Sequence, residues 1–144
     1  MQDQFGCLLK RLKLKVTPRR LAILEVMSGE PTFLSAEQVW VKVKRRIDGI
    51  GLPTVYRNLE ELACGGMVTR VIHGNRQLYY YFCANEKHHH HFVCVSCRKV
   101  EDVELCLAKE LEHEVAERIK GTVFSHIVQL QGLCRLCTEG DGGR

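Results

Sequence analysis

No apolar run in this chain of 144 residues approaches the roughly 20 residues that a membrane span needs. The N-terminus also reaches Lys10 and Arg11 without the apolar stretch of an export signal. The expectation is a cytoplasmic chain with no membrane partner. Internal repeats and low-complexity linkers are absent too. There is no HExxH and no HxE followed by PCxxC, so no general base is set beside metal ligands in either of two familiar enzyme patterns. A zinc-dependent hydrolase acting on a small-molecule substrate is therefore the alternative that the motifs disfavour. Eight cysteines would suggest a disulfide framework in a small secreted domain. Without an export signal, and with four of them arranged as two CxxC pairs, metal binding is the better account.

Charge is divided unevenly. Residues 1–82 hold 13 Lys and Arg against 7 Asp and Glu, and residues 83–144 hold 8 against 10. The basic half, with Lys10, Arg11, Lys13, Lys15, Arg19 and Arg20 bunched together, suits a polyanion, and the acidic half must serve another task.

Helix signals are dense in the basic half. Phe5, Leu8, Leu9 and Leu12 form the apolar stripe of a first helix. A second opens with Thr17 as N-cap and Pro18 at the first helical position, and stops near Ser28-Gly29. The third opens on a capping box, Ser35 with Gln38, and is expected to run through Trp40, Val43 and Ile47 to Asp48-Gly49. The fourth starts near Pro53, buries Val55, Leu59 and Leu62, and ends at Gly65-Gly66. Its outward N-terminal side shows Thr54, Tyr56 and Arg57, while Glu60 and Glu61 sit toward the other end, an arrangement that suits a helix probing a major groove end-on. Residues 67–72 and 77–82 read as strands around a turn at 73–76. Helices followed by a hairpin spell a winged helix-turn-helix, and the charge asymmetry points it at double-stranded DNA.

The acidic half reads as a strand from His91 into Cys94-Val95-Ser96-Cys97, a second strand over 100–103, and a helix carrying Leu111, Val115 and Ile119. A final strand over 123–131 then leads into Cys134-Arg135-Leu136-Cys137. Each CxxC sets two thiolates one tight turn apart, so two of them can close a tetrahedral structural Zn²⁺ site. Strand alternation sends His88 and His90 one way and His89 and His91 the other, enough to feed two further sites. It also turns His126 to the side of Phe124, Val128 and Leu130, the inward side. The polar, Gly-rich end 139–144 is expected to fray.

The segments TPRR at 17–20, SAEQVW at 35–40, GLPTVYRNLEELACGGMVTR at 51–70, HHHHFVCVSC at 88–97 and GLCRLC at 132–137 resemble the ferric uptake regulator (Fur) family, in its order and over nearly the whole chain. The resemblance implies an α+β protein: an N-terminal winged helix-turn-helix (1–83), a hinge (84–87), and a C-terminal α/β dimerisation and metal-binding domain with a four-cysteine zinc site (88–144). It implies a homodimeric, metal-dependent repressor, not an enzyme, that binds inverted-repeat operators of metal-uptake genes. Lys15, Arg19, Thr54, Tyr56 and Arg57 would meet DNA, and Cys94, Cys97, Cys134 and Cys137 would hold the structural zinc.

At the regulatory site the chain departs from iron and peroxide sensors of the family. Those place a histidine before the SAE segment, where Pro31-Thr32-Phe33-Leu34 stands here, and a carboxylate near the position of Cys83. Cys83, His89 and His91 resemble instead the site of zinc-uptake regulators (Zur), with His73 or Asp102 as fourth ligand. A thiolate with two imidazoles suits Zn²⁺ better than Fe²⁺ or Mn²⁺; an iron- or peroxide-sensing regulator is the alternative. Metal shared between the two halves would act as an orientation clamp. The family's second site would use His88, His90 and His126, but Lys109 stands at its acidic ligand, so either Glu110 or Glu112 substitutes or the site is weak or absent.

Overall fold

The computed structural model describes residues 2–140. The chain separates into two compact units, Met1–Glu86 and Lys87–Arg144, a division that lies inside the stretch read as a hinge.

The first unit is four helices and a hairpin: α1 (Gln2–Arg11), α2 (Pro18–Ser28), α3 (Ala36–Val43), α4 (Leu52–Cys64), β1 (Val68–Ile72) and β2 (Leu78–Phe82). The caps are those that the sequence signals specify. The Thr17 side chain accepts from the Arg20 backbone N–H, and Ser35 and Gln38 form a reciprocal capping box. α3 ends earlier than expected, at Val43. There the backbone tightens, the N–H groups of both Arg46 and Ile47 reaching the Val43 carbonyl, so Ile47 still packs on the core from a turn. The stripes of α1, α2, α3 and α4 converge on Leu9, Ile23, Leu24, Val39, Val43, Val55, Leu59 and Leu62, all fully buried. Full burial of one such side chain stabilises by roughly 1.5–3 kcal/mol. The hairpin pairs antiparallel from Val68 with Phe82 to Ile72 with Leu78. Leu34 bridges to Tyr80, which joins the segment before α3 to the wing. These elements form a winged helix.

The second unit comprises β3 (His90–Cys94), β4 (Val100–Val103), α5 (Ala108–Glu114) continuing as a π-turn over Val115–Ile119, β5 (Gln129–Gly132) and α6 (Arg135–Gly140). β3 is central, antiparallel to β4 and parallel to β5. The final strand is shorter than its apolar pattern implies, because among the described residues nothing pairs with the stretch 122–128. Phe124 and Ile127 are 96% and 95% exposed, and His126, expected to face inward with Phe124, is half-buried. α5 likewise buries no residue. The buried apolar residues of this unit, among those described, are Val93, Cys94 and Val100. So thin a core calls for a covalent or metal staple. Glu139 and Gly140 close α6; the rest of the polar end, expected to fray, lies outside the described residues. No helix among them is long and apolar enough to cross a membrane.

Candidate DNA interface and metal centres

α4 begins after Gly51, which supplies no side-chain cap, so the positive end of its dipole is left to attract an anion. Burial of Val55, Asn58, Leu59 and Leu62 fixes the rotation of α4 and turns Tyr56 and Arg57 outward. Lys15, Arg19, Thr54 and Arg57 line one groove beside it. The Tyr56 hydroxyl donates to Glu37 Oε1 on α3 at 2.9 Å. Backbone N–H donation first, then this hydroxyl, holds Glu37 below the usual carboxylate range.

Arg20 does not belong with these surface cations. It is buried, its Nε donating to Asn58 Oδ1 at 3.2 Å and its Nη1 to the Lys15 carbonyl at 2.8 Å, with an ion pair to Glu61. Glu60 is also structural: it accepts from Arg70 Nη2 on β1 at 2.6 Å and from the Tyr80 hydroxyl on β2 at 2.7 Å. At the wing, the His73 ring rests against Phe33 and Tyr79, at centroid distances of 5.6 and 6.0 Å. Cys83 follows β2, its backbone N–H donating to the Met67 carbonyl at 3.1 Å.

In the second unit, parallel pairing of β3 with β5 sets Cys94 opposite Gly132, so two strands run side by side into the two CxxC segments. The first bends through Arg98 at φ 64°; Cys134 and Cys137 stand at the start of α6. All four sulfur atoms lie within 4.8 Å of one another, with Cys97 and Cys134 Sγ 3.6 Å apart. Sulfurs about 2.3 Å from a tetrahedral zinc are roughly 3.8 Å apart. The thiols also show why a cation fits. The Cys134 backbone N–H, 3.3 Å from Cys94 Sγ, and that of Cys97 draw the Cys94 thiol down to about 6. Cys137, although the Ser96 hydroxyl favours its thiolate, is pushed up to about 12 by Cys134, burial, Cys94 and Cys97. One thiolate is stabilised at the expense of its neighbours, and a divalent cation removes that conflict.

The residues ahead of the first knuckle divide between two faces, and each face gathers a cluster. On one, His89 Nε2 and His91 Nε2 are 3.0 Å apart and each is 3.7 Å from Asp102 Oδ1, on the strand paired with β3. His89 Nδ1 is 2.6 Å from the Lys87 carbonyl; an N–H there directs the Nε2 lone pair at the cluster. Burial, then neighbouring His89, lowers the His91 pKa, keeping it a neutral ligand.

On the other face His88 Nε2 is 3.2 Å from His126 Nε2 and 3.2 Å from Cys106 Sγ, and Cys106 Sγ is 3.5 Å from His126 Nε2. His90 completes a group whose donor atoms all fall within 4.8 Å. Glu110 is outside that group and exposed on α5, as are Glu112 and Lys109. Sequence reasoning missed Cys106, which no motif marks, since it sits alone in the connection between β4 and α5.

A sequence profile described as the ferric uptake regulator family matches residues 11–131. The ferric uptake regulation protein of Bacillus subtilis is 33% identical over 126 residues, 85% of each chain. Among solved structures, a zinc uptake regulator complexed with zinc and DNA superposes with a TM-score of 0.80 at 23% identity, over 98% of this chain and 95% of that one. The Vibrio cholerae ferric uptake regulator superposes with a TM-score of 0.59 at 32% identity, over 90% and 98%. With the profile spanning most of the chain and a winged helix followed by a four-cysteine cluster in the fold, the protein belongs to the ferric uptake regulator family of metal-responsive transcription regulators.

Proposed function

We propose that this regulator is a zinc-dependent repressor that binds inverted-repeat operators of metal-uptake genes as a homodimer. The observation that carries the reading is the convergence of His89 and His91 with Asp102 of β4, with a cysteine, Cys83, six residues before His89. In this reading Cys94, Cys97, Cys134 and Cys137 hold a structural zinc. Cys83, His89, His91 and Asp102 take the regulatory one, with Asp102 preferred to His73 because the latter's ring is engaged by Phe33 and Tyr79. The thiolate makes the donor set soft enough to favour Zn²⁺. Similarity to a zinc uptake regulator complexed with zinc and DNA supports the same choice. Cys83 belongs to the winged-helix unit and the other three ligands to the second unit. A shared cation would therefore restrain both and bias the spacing of two recognition helices in a dimer. Thr54, Tyr56 and Arg57 would face the major groove, with Lys15 and Arg19 on phosphate.

Replacing Cys83 by alanine should abolish zinc-dependent operator binding while leaving the four-cysteine staple and the dimer intact. A wild-type zinc response in that variant would overturn the assignment. Asp102 supports a second reading, since two imidazoles and a carboxylate also suit Fe²⁺ or Mn²⁺, as in an iron- or peroxide-sensing regulator. Then Asp102→Ala, and not Cys83→Ala, would remove the response. Operator titrations with Zn²⁺, Fe²⁺ and Mn²⁺ on both variants separate the two.

A further inference from the structure

We infer that Cys106 is a metal ligand, the fourth one that the second site of His88, His90 and His126 otherwise lacks, and that it makes this a thiolate-containing zinc site separate from the regulatory and four-cysteine sites. The inference deepens the proposed metal-dependent regulation, and its readout is metal binding alone, so it can fail without operator recognition failing, and the reverse.

Three observations converge. The first is spacing. Nitrogens and sulfurs about 2.0–2.3 Å from a tetrahedral zinc are roughly 3.3–3.6 Å apart, and His88–His126, His88–Cys106 and Cys106–His126 stand at 3.2, 3.2 and 3.5 Å. The second is His90 Nε2, which is buried and has no hydrogen-bond partner. A buried ring nitrogen left unpaired costs about 1–3 kcal/mol, and a cation among the four donors would satisfy it. The third is the origin of the ligands. His90 is on β3, His88 just precedes it, Cys106 lies between β4 and α5, and His126 lies in the unpaired stretch before β5. Hydrogen bonds of strand or helix bring none of these last three together, yet their donor atoms converge.

A thiolate in place of a carboxylate changes the metal. Three neutral imidazoles and one thiolate make a tetrahedral, soft, singly charged donor set, which selects Zn²⁺ over Mn²⁺ or Fe²⁺. The thiol proton leaves to solvent as the metal enters. The bound cation would tie the start of α5 to the 122–128 stretch, where strand pairing supplies no restraint.

Cobalt titration tests the assignment in protein retaining its structural zinc and carrying Cys83→Ser, so that Cys106 supplies the thiolate of the clustered histidines, Cys7 and Cys64 lying outside every cluster of metal-binding side chains found among the described residues. One Co²⁺ should bind with a sulfur-to-cobalt charge-transfer band. Adding Cys106→Ser should abolish the band and weaken binding by about 100-fold or more, beyond the 10–100-fold typical of losing an outer-shell partner. Cys106→Asp should bind without the band and gain preference for Mn²⁺. Should either variant fail to fold, the unsubstituted protein still decides: Zn²⁺ should protect Cys106 from alkylation, read by peptide mass spectrometry. A charge-transfer band that survives Cys106→Ser, or equal alkylation of Cys106 with and without Zn²⁺, would overturn the inference.

Discussion

The Arg20 guanidinium is buried and shared among Asn58, the Lys15 carbonyl and Glu61, whereas Arg19 beside it is exposed in the groove that Lys15 and Arg57 also line. Sequence proximity put both in one basic cluster. The partners that separate them lie 38 and 41 residues away on α4, which no local pattern reveals. Substituting Arg20 by methionine leaves Asn58 and the Lys15 carbonyl without a charged donor, while half-exposed Glu61 rehydrates. The unfolding free energy should fall by about 2–3 kcal/mol, read from the urea midpoint at unchanged slope. Arg19→Met should leave that midpoint in place and weaken operator binding, lowering the slope of log affinity against log salt by about 1. Equal effects at the two positions would contradict the division of roles.

At the scale of elements, Glu60 joins three of them, pairing with Arg70 on β1 and accepting from Tyr80 on β2 while riding on α4. The Arg70 hydrogen bond, and then that of Tyr80, holds its carboxyl below the usual carboxylate range. A carboxyl whose folded pKa is depressed binds its proton more readily in the unfolded chain. Its contribution is therefore fully present above the ordinary carboxylate pKa and is lost as pH falls through the folded value. Glu60→Gln should lower stability at neutral pH and flatten the acid limb of the stability profile below about pH 4.5, as followed by thermal unfolding across pH. Where such signals are local, the sequence announces the elements well. Thr17, Pro18, Ser35, Gln38 and Gly65 set helix limits through bonds within a few residues. The last strand fails the same test because its pairing is remote. Val123–Gln131 alternates like a strand, yet only Gln129–Gly132 finds β3. The metal residues divide likewise. The CxxC pairs and the alternating histidines are legible from spacing, whereas Cys106 reaches its cluster only through the path of the β4–α5 connection.

For the whole molecule, the uncovered apolar surface of the second unit is the feature that one chain does not explain. Phe124 and Ile127 are almost fully exposed, and Leu105, Leu107, Leu111 and Ile119 are exposed as well. So many exposed large apolar side chains in one small unit suit an interaction site, and the homodimer proposed for this regulator supplies an occupant, a second copy of the chain. Two winged helices held in one dimer bind an inverted repeat with the second contact made intramolecular, which multiplies affinity by about 10²–10⁴ over a single half-site. Phe124→Glu combined with Ile127→Lys places charges of both signs on that surface while leaving net charge, all the metal ligands and the whole winged helix unchanged. The double variant should sediment as a monomer, retain its four-cysteine zinc, and bind a single half-site as the unsubstituted protein does. It should lose the gain on the full operator. If it sediments as a dimer with full operator affinity, Phe124 and Ile127 are not part of a self-association surface.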